Sequence, residues 1–212
     1  MQFLKIFCIC MLVYSSSMAQ VNEYGLKLGI TNSRFEYQNK AKDLNIIGKY
    51  GQSIFVNAYA QVYRKEYTSV QVGVGYLERA STMPFRVPVT IGSITDSITI
   101  NQNWAIETMI TNAEIKLKIP LDEKFRLTPY FILGPQLNYN FSKSSNIEPS
   151  IQKWKVNLNA GIGFDYDLDK MNLFVEAQKM IDVNKDISTS SNIVLNQQSL
   201  VIALGIKYII KP

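Results

Sequence analysis

From Tyr24 to the C-terminus, apolar side chains recur at every second residue. That period places them on one face of an extended strand and excludes a helix, whose period is 3.6. Eight stretches carry it. They are Tyr24-Leu26-Leu28-Ile30, Val56-Ala58-Ala60-Val62, Val70-Val72-Val74-Tyr76 and Ala113-Ile115-Leu117-Ile119, then Phe131-Leu133-Leu137-Tyr139, Val156-Leu158-Ala160-Ile162-Phe164, Leu173-Val175-Ala177 and Leu200-Ile202-Leu204-Ile206-Tyr208. The connections between them alternate strictly. Asn32 to Gln52, Ser81 to Asn103, Ser142 to Lys153 and Asp182 to Asn196 are long; Arg64-Lys65-Glu66, "PLDEK" and "LDKM" are short. All long connections therefore fall on one rim of an up-and-down meander, the asymmetry of transmembrane β-barrels.

The opposite parity decides between oil and water outside. It is built from Gly25, Gly29, Gly73, Gly75, Gly161, Gly163 and Gly205 with Asn and Gln, and few charges. Small and amide-bearing residues suit a narrow, hydrogen-bonded interior. The apolar parity is nearly free of charge, as lipid contact requires. Closure also satisfies every backbone group without water and leaves no edge. The expected fold is all-β: an eight-stranded antiparallel up-and-down transmembrane β-barrel at residues 20–212. One stretch resists. In "PYFILGPQLNYN", Pro135 cannot donate to a ladder, so a bulge or a locally broken ladder is expected there.

A cleavable signal peptide is expected at residues 1–19. Lys5 precedes an apolar run from Ile6 to Tyr14, and Ser17 and Ala19 are small residues at a cleavage site before Gln20. The run is far short of the roughly 20 residues a spanning helix needs. Both cysteines, Cys8 and Cys10, lie within it, so the mature chain carries no disulfide framework. The formal charge of +5 is spread along the chain and forms no nucleic-acid stripe.

Five segments carry a family resemblance: "YGLKLGIT" (24–31), "TPYFILGPQLNYNFS" (128–142), "VNLNAGIGFDYDL" (156–168), "LFVEAQ" (173–178) and "LVIALGIKYII" (200–210). In order and spacing the chain resembles the PorT-like outer-membrane β-barrel family of Gram-negative bacteria, similar in architecture to small OmpA/OmpX-type barrels. The resemblance implies an outer-membrane location. It also implies docking to the barrel-assembly machinery during biogenesis, through Gly205, Tyr208 and Ile210. Some family members act in protein secretion.

The sequence contains no histidine. That removes the usual neutral-pH base and the commonest zinc ligand, so no catalytic residue, cofactor or metal is expected. Asp165, Asp167, Asp169 and Glu176 mimic a calcium loop. Lys170 stands where that loop needs glycine, and the flanks read as strands, so the reading fails. Lys27, Glu114, Lys116, Glu176 and Lys207 share the inward parity. Buried charges need partners. Glu114 and Glu176 are therefore expected to pair with lysines of this set and to plug a lumen just wide enough for its own side chains.

Within loop 81–103, "FRVPVTIGSITDSITI" alternates around "GSITDS", which predicts a hairpin prolonging two strands beyond the membrane, whose apolar residues either pack on neighbouring loops or belong to an edge open to an extracellular or envelope partner. Arg34, Lys40, Lys42, Lys49, Lys143 and Lys153 are candidates for lipopolysaccharide phosphates beside the outer-membrane lipid. The expected function is a structural or surface-interaction barrel with its long loops extracellular. Two alternatives stay open: an accessory of a secretion system in the outer membrane, and a soluble periplasmic lipocalin-like barrel binding an apolar ligand.

Overall fold

The computed structural model describes residues 23–39, 43–91, 94–121, 126–143, 152–168, 170–183, 186–188 and 193–210. The expected signal peptide at 1–19 lies outside the described residues, as do Lys40, Lys42 and Asp169. Among the described residues, ten strands follow in order: β1 (Glu23–Asn39), β2 (Leu44–Ile47), β3 (Lys49–Arg64), β4 (Thr68–Ile91), β5 (Ile94–Lys118), β6 (Leu127–Lys143), β7 (Trp154–Leu168), β8 (Met171–Asp182), β9 (Asp186–Ser188) and β10 (Ile193–Ile209). Eight of them close a ring, β1-β3-β4-β5-β6-β7-β8-β10, in which β10 pairs back onto β1. Every pairing is antiparallel. The short strands β2 and β9 extend the ring only at its long-loop rim, beside β1 and β10.

The apolar parity faces out. Leu28, Ile54, Val74, Met109, Leu133, Ile162, Leu173 and Leu204 are all exposed, while their neighbours in sequence turn into the ring. Aromatic residues bound this belt. Tyr24, Tyr63, Tyr166 and Tyr208 ring the tight-turn rim, with Tyr24 directly opposite Tyr208. Tyr50, Phe141 and Trp154 mark the other boundary, where the Trp154 ring packs on Tyr139 at 4.7 Å. On β7, Tyr166 lies twelve residue steps beyond Trp154. At about 3.3 Å per residue and a tilt near 40°, that spans about 30 Å, the height of an apolar band with its aromatic girdles. A lipocalin has the reverse polarity, so the soluble ligand-binding alternative is set aside.

The strands overrun the expected loops. β1 continues to Asn39, β4 and β5 run through most of 81–103, and β10 begins at Ile193. The physical cause is an inversion of sidedness above the belt. There Phe35, Tyr37, Met83, Trp104, Ile106 and Leu195 turn inward and are buried, while Arg34 and Glu36 turn outward. Strand signals defined by an apolar outer face lapse at that level, although the strands do not.

Pro135 interrupts one ladder and leaves the other intact. The Ile119 amide donates to the Pro129 carbonyl on the β5 side, and the Asn140 amide donates to Lys153 on the β7 side. Odd residues of β6 therefore bond towards β5, so the missing Pro135 donor falls opposite Ala113. The β5 ladder lapses between Asn112–Gln136 and Ile115–Leu133 and resumes in the same register, while Pro135 stays paired with Leu158 on β7. The ladder is broken on one side, with no bulge. Register shifts occur instead between β3 and β4 and at Phe141 of β6, opposite Glu107 and Thr108.

Candidate functional site

The lumen is filled in layers. Lowest, near the tight turns, lie the charges. Lys27 Nζ stands 2.8 Å from Glu114 and 2.8 Å from Glu176. Lys116 Nζ bonds the other Glu176 oxygen at 2.6 Å, and the Tyr130 hydroxyl donates to that same oxygen at 2.9 Å. Asn112 donates to Glu114, and Gln178 donates to Glu176. Lys207 belongs to a second cluster: it pairs with Asp165 at 2.7 Å and with Glu23 at 3.6 Å. Half-buried Lys118 lies within electrostatic reach of Asp165 and Glu23. Four lysines thus face four carboxylates, which keeps the buried charge balanced.

All five residues singled out in the sequence project inward and are buried. Glu114 and Glu176 take lysines of that set. Lys207 takes Asp165, which lay in the rejected calcium-loop pattern, so that acid faces a lysine. The aromatic partners had no separate signal. Lys116 sits 4.4 Å from the Tyr130 ring centre and 4.9 Å from that of Phe174, and Lys27 sits 5.2 Å from that of Tyr59. Inward glycines make room for these rings. A Cβ on Gly163 would meet the Tyr130 ring at 2.6 Å, and one on Gly25 or Gly205 would strike Tyr59 or Phe174.

Above the charges, Phe55, Leu77, Ile110, Met180, Val201 and Ala203 form an apolar layer. Arg79, fully buried, donates to Gln197 at 2.9 Å. Lys155 pairs with Asp182 at 2.7 Å. Parity alone would have found both cations, but each stands singly in the sequence, next to no acid of inward parity. Over this layer an aromatic cap closes the long-loop mouth. Trp104 lies 6.4 Å from Phe35, 6.3 Å from Tyr37 and 5.9 Å from Phe85, with Met83, Ile106 and Leu195 behind.

The β4–β5 hairpin rises past the cap, with Ile91 still opposite Ile94. The Lys118 amide donates to Tyr67, so even residues of β4 bond away from β5. Pro84 and Pro88 therefore remove their donors from the open edge of β4, which blunts it against strand addition. The opposite edge is open: among the described residues, β5 meets β6 only from Ile106 onwards. A cleft of about 480 Å³, lined by Leu44, Ile46, Pro84, Phe85 and Arg86 among others, separates β2 from the hairpin.

A family model described as outer membrane protein beta-barrel domain matches residues 18–188. Among solved structures, the outer membrane protein OprG from Pseudomonas aeruginosa is similar with a TM-score of 0.51 and 11% identity, over 91% of this chain and 98% of that one. Neisserial surface protein A gives a TM-score of 0.48 at 11% identity, over 88% and 97% of the two chains. The outer membrane protein AlkL gives 0.49 at 13% identity, over 92% of each. At these identities the likeness is one of fold. No curated protein matches the chain.

Proposed function

Because this chain belongs to the outer membrane protein beta-barrel domain family, we propose that it is a non-enzymatic, self-plugged barrel with a structural and surface-interaction role. It resides in the outer membrane. In this reading it is exported by a signal peptide at 1–19 and inserted by the barrel-assembly machinery, and its long connections face outward. The observation that carries the reading is the filled lumen. Lys27, Glu114, Lys116, Glu176 and Lys207, with Glu23 and Asp165, pair with one another within 3.6 Å beneath an apolar layer and an aromatic cap. A chain without histidine whose buried carboxylates already face lysines offers no poised base. In planar bilayers the barrel should show no large, steady conductance; such a current would overturn the plug.

The surface role centres on the raised β4–β5 hairpin. Its β4 edge is guarded by proline, so an extracellular or envelope partner engages the open β5 edge or the cleft beside β2. Deleting Phe85–Ile100 should leave a barrel with heat-modifiable gel mobility that no longer holds such a partner. Failure to assemble would make the hairpin structural. The open β5 edge also favours the second reading, a secretion-system accessory of PorT-like kind. Co-purification with other envelope proteins separates the two.

A further inference from the structure

Lys179 has no share in the lumen. It stands on the outward face of β8, in line with Val175, Ala177 and Ile181, opposite Leu200 of β10 and Ala160 of β7. Among the described residues no carboxylate pairs with it. Glu36 and Asp182 bound the adjoining cleft with it, but both are engaged. Glu36 accepts from Gln38 at 2.8 Å and from Asn196 at 3.4 Å, and Asp182 accepts from Lys155. An ammonium left bare on an apolar wall is costly, and a lysine there reaches for the interface and for an anion.

The anion's place is built beside it. Lys179, Tyr50, Gln198, Ser199 and Leu200 line an outward cleft of about 220 Å³. Arg34 stands at its edge. Its guanidinium donates to the Gln198 side-chain carbonyl at 2.9 Å and lies 5.0 Å from the Tyr50 ring centre. Those contacts hold the planar group in place and leave further N–H donors free of that bond. Tyr50 belongs to the upper aromatic boundary of the belt, so the cleft lies at the headgroup level of the outer leaflet.

We infer that β8, β10, β1 and β3 together present a site for the phosphate of an outer-leaflet lipopolysaccharide. Lys179 and Arg34 bind the phosphate, and Tyr50 and Leu200 flank the apolar part of the same lipid. This rests on the outer-membrane reading of the chain. The test uses the purified barrel with bisphosphorylated lipid A, dephosphorylated lipid A and inorganic phosphate, read by native mass spectrometry. The phosphorylated lipid should stay bound, and Lys179→Gln or Arg34→Gln should weaken it about tenfold, one charge-assisted contact each. Lys170→Gln, an exposed lysine in the tight β7–β8 turn at the opposite rim, should bind as wild type. Equal binding of the dephosphorylated lipid, or undiminished binding by both variants, overturns the inference. Displacement by millimolar inorganic phosphate would replace the lipid by a small anion and overturn it as well. Heat-modifiable mobility of the wild type is scored separately. Its absence would sink the membrane reading itself.

Discussion

Glu176→Gln removes one oxygen's charge from the centre of the lumen while keeping the side chain's shape. Glu176 serves two lysines, but unequally. Lys27 retains Glu114 at 2.8 Å, whereas Lys116 loses its charged partner and keeps neutral ones, the Tyr130 hydroxyl at 3.3 Å among them. Both Lys116 and Glu176 are essentially inaccessible to solvent. Breaking a buried pair by removing one partner costs about 3–5 kcal/mol, most of it the stranded charge. Lys116→Met should cost a similar amount, because Glu176 then keeps Lys27 but loses its shortest contact. The double variant strands neither group, so it should be more stable than the sum of the singles predicts by about 2–3 kcal/mol. Equilibrium urea unfolding in lipid vesicles, followed by gel mobility, measures all four corners of the cycle. Singles that cost under about 1 kcal/mol and simply add would mean a solvated ring at the mouth, since exposed pairs are worth no more than that.

Pro135→Ala restores an amide opposite Ala113 and should stabilise the barrel by about 1 kcal/mol, one net hydrogen bond, in the same unfolding assay. A loss of stability would show that the ring's curvature needs the break. Gly163→Ala drives a methyl group into the Tyr130 ring at 2.6 Å and should cost about 1–3 kcal/mol; Gly163→Ala with Tyr130→Phe should recover little, because the ring remains. Above the membrane, the hydrogen bond from Gln38 holds the Glu36 carboxyl below the usual carboxylate range, with Asn196, Asn45 and Arg34 adding to it. A depressed carboxylate stabilises above its unfolded pKa and loses that contribution as pH falls through its folded one. Amide protection of the β1–β2 ribbon should therefore hold from pH 7 to 5 and weaken only below the ordinary carboxylate range. Weakening near neutrality would refute that assignment.

How much of this was legible depended on which side of the wall carried oil. Within the belt, an apolar outer face and a small or polar inner face wrote the strands plainly, and one parity rule put Lys27, Glu114, Lys116, Glu176 and Lys207 in the lumen. Pairing was legible only in part. Lysine against carboxylate follows from charge, but the choice of Asp165 for Lys207 depends on how the ring sets β7 and β10 on either side of β8, which no local pattern records. Tyr59, Tyr130 and Phe174 were equally silent, since an inward aromatic reads like any other lumen residue until the glycine that admits it is found on another strand. Arg79 and Lys155 followed from parity, but their partners Gln197 and Asp182 lie on other strands and carried no local signal.

The inversion above the belt turns that blindness into information. On β1, Ile30 still faces out and is exposed, while Phe35 and Tyr37 face in and are buried. The strand continues without a bulge against β10 across that change, so the backbone is not what changes. What changes is the medium outside. Where lipid surrounds the wall, apolar residues belong outside and the interior must be polar enough to satisfy itself. Where water surrounds it, the ordinary rule returns and Trp104, Phe35 and Leu195 make a core. The crossover on β1 lies between Ile30 and Arg34, the level of Tyr50 and of the Lys179 cleft. The same chain therefore marks its own membrane boundary, and Arg34 and Lys179 stand at that boundary.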